Sequence, residues 1–369
     1  MTTDGRNILT HSRQACAKTC LRRHWYSYEF GIRKDKDTAP LRTGKAFHHA
    51  REEIGNGVDV DWAVNSATAE YGHFPAWCVS PEDQYDYRIE GEIVKQLILG
   101  YVARWGTEPL ETVAVETPFD LPLTNPETGG VTPLWRLGGK IDSIVKLADG
   151  RLMVGELKTA GEDLSPDSDF WKRLRIDQQI SLYTLAAIAL GYDVKGILYD
   201  VTRKPLIRPR LLTQGDSKTF LASGDYFGKH FVCTDGPVLI DGEPCEIVPG
   251  AKAGSFAIRE TVAMYGARIA ADMKENPSWY FARMEIPRLQ ADLDEFRWEL
   301  WSIQGLLRDC QRYGRWPRNT ASCLRPYRCE FWDLCTGSYD TASGIVPEGY
   351  KKLEFVHPEL QNSVAAELT

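Results

Sequence analysis

The sequence predicts an α/β (α+β) fold in which a mixed central β-sheet is flanked by helices. Three observations carry this expectation. Strand-like alternation recurs in Val113 to Leu123, Lys140 to Leu147 and Arg151 to Lys158. A helical segment follows from Trp171 to Leu190, and a further apolar strand runs from Val194 to Thr202. Strand, strand, strand, helix, strand is the order of a sheet that mixes hairpin and crossover connections and carries helices on its faces.

Size and composition bound the rest. With 369 residues, 43% of them hydrophobic, the chain can bury a sizeable core. The opening MTTDGRNILT lacks a positive region followed by an apolar run, and no stretch is long and apolar enough to span a bilayer, so a cytoplasmic protein is expected. The net charge of −7 means that contact with a polyanion would need a local basic groove. Nine cysteines, an odd number without an export signal, argue against a disulfide framework.

Taken in order, Ser12 to Arg33 reads as one helix carrying Cys20, Arg22, Arg23 and the aromatic stripe Trp25, Tyr26 and Tyr28. Gly44 to Ala50 leads into a second helix bearing the adjacent His48 and His49. Residues from Asp59 to Pro109 are helical, with a good amphipathic run from Tyr87 to Trp105. The strand from Val113 carries Glu116, either a solvated charge or an acid supporting a site, and a turn-rich Thr124 to Pro133 follows. After the crossover strand, Arg203 to Arg210 is a basic, proline-punctuated loop, and the pattern between Leu211 and Ser255 is weak, with short strand-like pieces at Pro237 to Ile240 and Glu246 to Val248. Helices are expected over Ile258 to Glu275 and Arg288 to Tyr313, then a loosely packed tail beyond Gly337. This divides the chain into an N-terminal segment 12–58, a helical layer 59–110, a core 111–205, an insertion 206–257, C-terminal helices 258–336 and a tail 337–369.

The hairpin from Leu137 to Ala160 concentrates the chemistry. Ala148-Asp149-Gly150 separates its strands, and a three-residue loop with Gly150 left-handed pairs Leu147 with Arg151. That register sets Asp142 opposite Glu156, with Cβ atoms about 4.5–5.5 Å apart. Glu156 and Lys158, two residues apart on a strand, share a face. Two carboxylates and one ammonium would then converge. For a hairpin taken alone, solvated charges are the commoner outcome.

A second cluster lies near the end, where Cys323, Cys329 and Cys335 are separated by two equal five-residue gaps. This spacing differs from the paired short gaps of zinc ribbons, and three thiolates are one short of the four an iron–sulfur cluster usually takes. Cys20 or Cys16 could complete the set and fasten the two ends of the chain. Cys78, Cys233, Cys245 and Cys310 are scattered and read as small buried hydrophobes.

In order, Gly44-Lys-Ala-Phe-His48, Gly139-Lys-Ile-Asp142, Glu156-Leu-Lys158, Gln179-Ile-Ser-Leu-Tyr183 and the cysteines resemble the motifs of the PD-(D/E)XK nucleases. The likeness is to the RecB-type iron–sulfur exonucleases, including CRISPR-associated members and phage relatives. It covers Ser12 to Cys335, and Cys20-Leu-Arg-Arg-His-Trp-Tyr fits the early cysteine better than Cys16 does. The gap between Cys323 and Cys329 is longer than in many relatives.

The resemblance implies a restriction-endonuclease-like core with its termini joined at the cysteines. It also implies a metal-dependent deoxyribonuclease, expected to be an exonuclease on single-stranded ends and to work in recombination, repair, or CRISPR or phage DNA processing, with partner proteins possible. Asp142, Glu156, His48 and the Leu157 carbonyl become ligands for magnesium or manganese, the imidazole favouring manganese. Lys158 would steady the water or phosphate, with Gln179 and Tyr183 positioning Lys158 or touching DNA. Cys20, Cys323, Cys329 and Cys335 would hold a [4Fe–4S] cluster, zinc being the alternative. The rival readings are a non-catalytic DNA-binding or assembly subunit, a sequence-specific endonuclease, and a redox iron–sulfur protein.

Overall fold

The hairpin forms the middle of a six-stranded mixed sheet. In a computed structural model, which describes residues 7–106, 108, 110–234, 238–337, 339 and 344–360, the strands are β1 (Ile8–Leu9), β2 (Glu111–Thr124), β3 (Val131–Lys146), β4 (Leu152–Ala160), β5 (Val194–Arg203) and β6 (Phe281–Ile286). Their order is β1-β3-β4-β5-β6, with β2 also paired to β3. β1 runs parallel to β3 and β4 parallel to β5, while the other pairs are antiparallel.

The loop sets the register. The Leu147 N–H donates to the Arg151 carbonyl at 2.9 Å, the Gly150 N–H donates to the Leu147 carbonyl at 2.9 Å, and Gly150 has φ 86°. Lys146 then pairs with Leu152 and Ser143 with Gly155. One step further along the ladder brings Asp142 level with Glu156. β5 is buried along nearly its whole length, as expected for an interior strand covered on both faces.

Helices supply those covers. They are α1 (His11–Thr19), α2 (Ala39–Gly55), α3 (Val60–Thr68), α4 (Pro81–Trp105), α5 (Asp169–Leu174), α6 (Gln178–Ala189), α7 (Gln214–Ser223), α8 (Val262–Glu275), α9 (Gln290–Tyr313) and α10 (Trp332–Thr336). On one face Ile180, Leu182 and Ala186 of α6, with Phe296, Leu300, Ile303 and Leu307 of α9, pack on Ile197, Tyr199 and Val201 of β5. The α9 stripe recurs every three or four residues, and each such side chain contributes about 1.5–3 kcal/mol on burial. On the other face Phe47, Leu97, Ile98, Tyr101, Tyr265 and Ile269 form a second core with Phe281.

Several elements depart from the sequence expectation. The helix expected over Ser12 to Arg33 breaks at Cys20, which is extended at φ −167° and ψ 120° and separates α1 from a turn at Leu21–His24 and a π-helix at Trp25–Glu29. The segment from Trp171 to Leu190 is two helices, because Asp177 caps α6 and ends the preceding turn. Ile258 belongs to a short strand, Phe256–Ile258, paired with Ile247–Pro249, and α8 starts only after the Thr261 cap. The insertion is better packed than its pattern suggests, since Leu212, Phe220, Tyr226, Phe231, Ile240, Ile258 and Met264 form a small core of their own. The strand expected at Pro237 to Ile240 is observed at Leu239–Ile240; Pro237 lies outside the described residues.

The part of the tail that is described is not loosely packed. Tyr350–Lys352 pairs with Ile32–Lys34, and Val356, His357 and Leu360 are buried. His357 sits against the Tyr28 ring, 5.3 Å between centroids.

Candidate active site

Glu156 stands at the middle of β4 and Lys158 two residues further toward its C-terminal end, beside the interior strand. Glu156 is only 2% exposed. Its Oε1 lies 2.6 Å from Lys158 Nζ, whereas Oε2 is buried with no hydrogen-bond partner. Asp142 arrives from β3, and its Oδ2 accepts the Leu157 backbone N–H at 3.1 Å. His48 comes from α2, with Nδ1 3.9 Å from Asp142 Oδ2. The approach of α2 depends on Gly44, where an added Cβ would lie 3.3 Å from Thr159 Oγ1. Glycine there lets the helix lie close to the end of β4.

Burial dominates the electrostatics. It pushes the Glu156 carboxyl up to about 7, and the nearby Asp142 charge adds to this while Lys158 opposes it. Burial raises Asp142 as well, against the pull of Lys158 and the Leu157 N–H. Burial lowers His48, which therefore favours a neutral imidazole able to donate a lone pair. Burial alone would lower Lys158, but Glu156 and Asp142 outweigh it and raise its value, so the ammonium stays charged.

Helix α6 completes this group. Asp177 accepts the Gln179 N–H at 2.7 Å and fixes the start of the helix, and Gln179 Oε1 then accepts from Lys158 Nζ at 2.6 Å. Tyr183, one turn on, packs its ring edge-on against Phe119, 6.1 Å between centroids. The structure thus brings His48, Asp142, Glu156, Leu157, Lys158 and Gln179 together and turns the Tyr183 ring toward β2.

Other residues also stand at this cleft, and of these the strand pattern offers only Glu116, as either a solvated charge or a supporting acid. Glu116, opposite Asp142 on β2, has φ 47° and an ion pair to Lys140. A left-handed glutamate in a strand is uncommon, and such strain concentrates at functional sites. Arg51, Glu52, Tyr101 and Asp200 also line the cleft. The Tyr199 hydroxyl is buried beneath it without a partner. Nothing in the local pattern marks Arg51, Glu52, Tyr101, Tyr199 or Asp200, because their neighbours come from distant parts of the chain.

The cysteines behave as a second group. Cys20, Cys323, Cys329 and Cys335 line one cavity of about 470 Å³, together with Arg22, Arg23, Arg318 and Arg325. Cys20 reaches it because of the extended break after α1. The Asn319 N–H points at Cys20 Sγ at 3.4 Å, and the Arg23–Glu330 pair at 2.9 Å ties the N-terminal segment to the C-terminal one. Cys16 does not line this cavity; burial pushes its thiol up to about 11.

Among the described residues, no three or more His, Cys, Asp and Glu side chains are gathered into a ready single-ion site. The donor chemistry of the β3–β4 cleft nevertheless fits a hard divalent cation. A buried and a half-buried carboxylate repel each other there, one Glu156 oxygen lacks any partner, and a neutral imidazole stands beside them.

A mixed sheet presenting two carboxylates and a lysine at the end of a hairpin defines the class. The family model of the PD-(D/E)XK nuclease superfamily matches residues 8–336, and the chain belongs to that superfamily. Membership points to a nuclease, a hydrolase with DNA as its substrate. No curated protein matches the chain. Among solved structures, one described as "Crystal structure of SSO0001" is 13% identical over 73% of this chain and 76% of that one, with a TM-score of 0.20. No helix among the described residues is long and apolar enough to cross a membrane.

Proposed function

We propose that the protein is a metal-dependent exodeoxyribonuclease acting on DNA ends, single-stranded ends above all, in recombination, repair, or CRISPR or phage DNA processing. The observation that carries this reading is the buried Glu156 carboxylate, with one oxygen held by Lys158 and the other unpartnered in a cleft shared with Asp142. The choice of an exonuclease rests on the likeness of the motif order to RecB-type enzymes.

In this reading Asp142, Glu156, His48 and the Leu157 carbonyl hold magnesium or manganese. The bound ion would supply Lewis-acid stabilisation and acidify water. Lys158 offsets negative charge developing on the phosphoryl oxygens, and Gln179 keeps its ammonium aimed at the cleft. Leu157 holds Asp142 through its N–H, so the first-strand carboxylate stays fixed as the second strand presents Glu156. Tyr183 braces α6 against β2.

The cysteine cavity supports a [4Fe–4S] cluster on Cys20, Cys323, Cys329 and Cys335. Four thiols line a single space, and the arginines around it offset thiolate charge. A structural zinc on the same thiols is the alternative.

The deciding experiment incubates end-labelled single- and double-stranded DNA with the wild type and with Glu156→Ala, in magnesium and in manganese. Cleavage by the wild type alone is expected. Equal cutting by both proteins would remove the site assignment, and binding without cutting by either would favour a DNA-binding subunit.

A further inference from the structure

The cleft that holds Asp142 and Glu156 is lined by five carboxylates, from Glu52, Glu116, Asp142, Glu156 and Asp200. A polyanionic backbone would be repelled there unless cations offset them. Lys158 is committed to Glu156 and Gln179. Among the residues that line the cleft, Arg51 is the single lysine or arginine.

Arg51 follows His48 by three residues on α2, so both lie on one helical face. Its guanidinium stacks on the Tyr101 ring at 3.8 Å, and Nη2 donates to the Tyr101 hydroxyl at 2.9 Å. That hydroxyl is itself fixed, donating to Asp200 and accepting from Arg283 Nη2 at 2.7 Å. Arg283 Nε also bonds Asp200 Oδ2 at 2.9 Å, which ties Asp200 into the same bracket. Tyr101 and Asp200 are both buried, so the bracket behind Arg51 is rigid. Arg51 Nε has no partner, and the bond to Tyr101 is the one hydrogen bond the guanidinium makes among the described residues.

A planar, permanently charged group, stacked from behind and short of acceptors, suits a phosphate oxygen. We infer that Arg51, held in place by Tyr101, binds a backbone phosphate of the nucleic acid in the cleft and so sets the strand's position over Asp142 and Glu156. The inference rests on the nuclease reading above. Tyr101 acts as a positioning residue, because it touches Arg51 and not the strand.

The test measures binding of a fluorescein-labelled single-stranded oligodeoxynucleotide by anisotropy across a salt series, with calcium present. Wild type, Arg51→Gln, Arg51→Lys and Tyr101→Phe are compared as full-length chains, with thermal melts to show folding. Losing one phosphate contact should lower the slope of log affinity against log salt by about 0.7. Affinity should fall roughly tenfold or more in Arg51→Gln. Arg51→Lys should keep the slope while losing affinity, and Tyr101→Phe, which keeps the ring, should fall between. If the wild type shows no salt-dependent binding and no cleavage, the nuclease reading fails and this inference with it. If the wild type binds and cuts while folded Arg51→Gln keeps both slope and affinity, only the inference fails. Should Arg51→Gln not fold, a wild-type affinity in Tyr101→Phe overturns it.

Discussion

Asp142 and Leu157 are joined across the hairpin by a hydrogen bond of 3.1 Å from the Leu157 N–H to Asp142 Oδ2. The peptide flanked by Glu156 and Lys158 therefore holds the opposing carboxylate. His48 of α2 stands 3.9 Å from the same Asp142 Oδ2, so groups from β3, β4 and α2 meet around this one peptide. The side chain of Leu157 could vary within this scheme; its backbone could not.

The cost of that gathering is a buried Glu156 carboxylate beside a half-buried Asp142, and it makes stability depend on pH. Glu156 titrates near 7, above the ordinary range for glutamate, because of burial and then Asp142. Where the native value exceeds the unfolded one, the native state holds more protons between the two values, so stability falls as pH rises through that window. Metal-free protein should lose about 2 kcal/mol in all between pH 5 and 7 for this one group. Manganese should stabilise the protein, and increasingly so with rising pH. Denaturant unfolding at pH 5, 6 and 7, with and without manganese, measures this. A metal effect independent of pH would count against the buried pair as its site.

Lys158 is held from two sides, by Glu156 and by Gln179, each at 2.6 Å. Gln179→Ala frees the ammonium on one side without removing its charge, and should lower kcat by about 10- to 100-fold with little change in KM. Lys158→Ala removes the charge itself and should cost about 100- to 1000-fold. Single-turnover cleavage of end-labelled DNA checks both. A loss in Gln179→Ala equal to that in Lys158→Ala would mean that Gln179 does more than position the lysine.

How much of this was legible in the sequence depended on distance along the chain. Loop length and a glycine fix a hairpin register locally, so the alignment of Asp142 with Glu156 followed from Ala148-Asp149-Gly150. Gln179 and Tyr183 could be placed on a helix but not aimed, because only tertiary packing sends Gln179 to Lys158 and Tyr183 to Phe119. The bracket of Arg51, Tyr101, Asp200 and Arg283 joins four separate elements and left no local pattern. β6 escaped notice because FARMEI is short, and its strand character comes from pairing with β5. The break at Cys20 was hidden by residues that favour helix on either side.

That break bears on the cysteine cavity. Purified without air, the protein is expected to be brown, and Cys329→Ser should bleach it. Cys16→Ser should leave the colour, since Cys16 lies away from the cavity that Cys20 lines. Iron and zinc are quantified alongside. Colourless protein with stoichiometric zinc would replace the iron–sulfur assignment, and bleaching in Cys16→Ser but not in Cys20→Ser would exchange the first ligand.

Gly150 offers a test of the hairpin free of packing effects. It has φ 86°, and a Cβ added there would meet nothing within 4 Å. Gly150→Ala should therefore cost only the strain of a left-handed alanine, about 1–2 kcal/mol. Gly150→Asn should cost less, because asparagine tolerates that conformation. Neither should abolish cleavage at low temperature, since the Leu147–Arg151 bond still fixes the register. Denaturant unfolding of the three proteins gives the order Gly, Asn, Ala in falling stability. An alanine variant as stable as the wild type would show that the loop has relaxed to another turn. The matching activity measurement would then report whether Asp142 still meets Glu156.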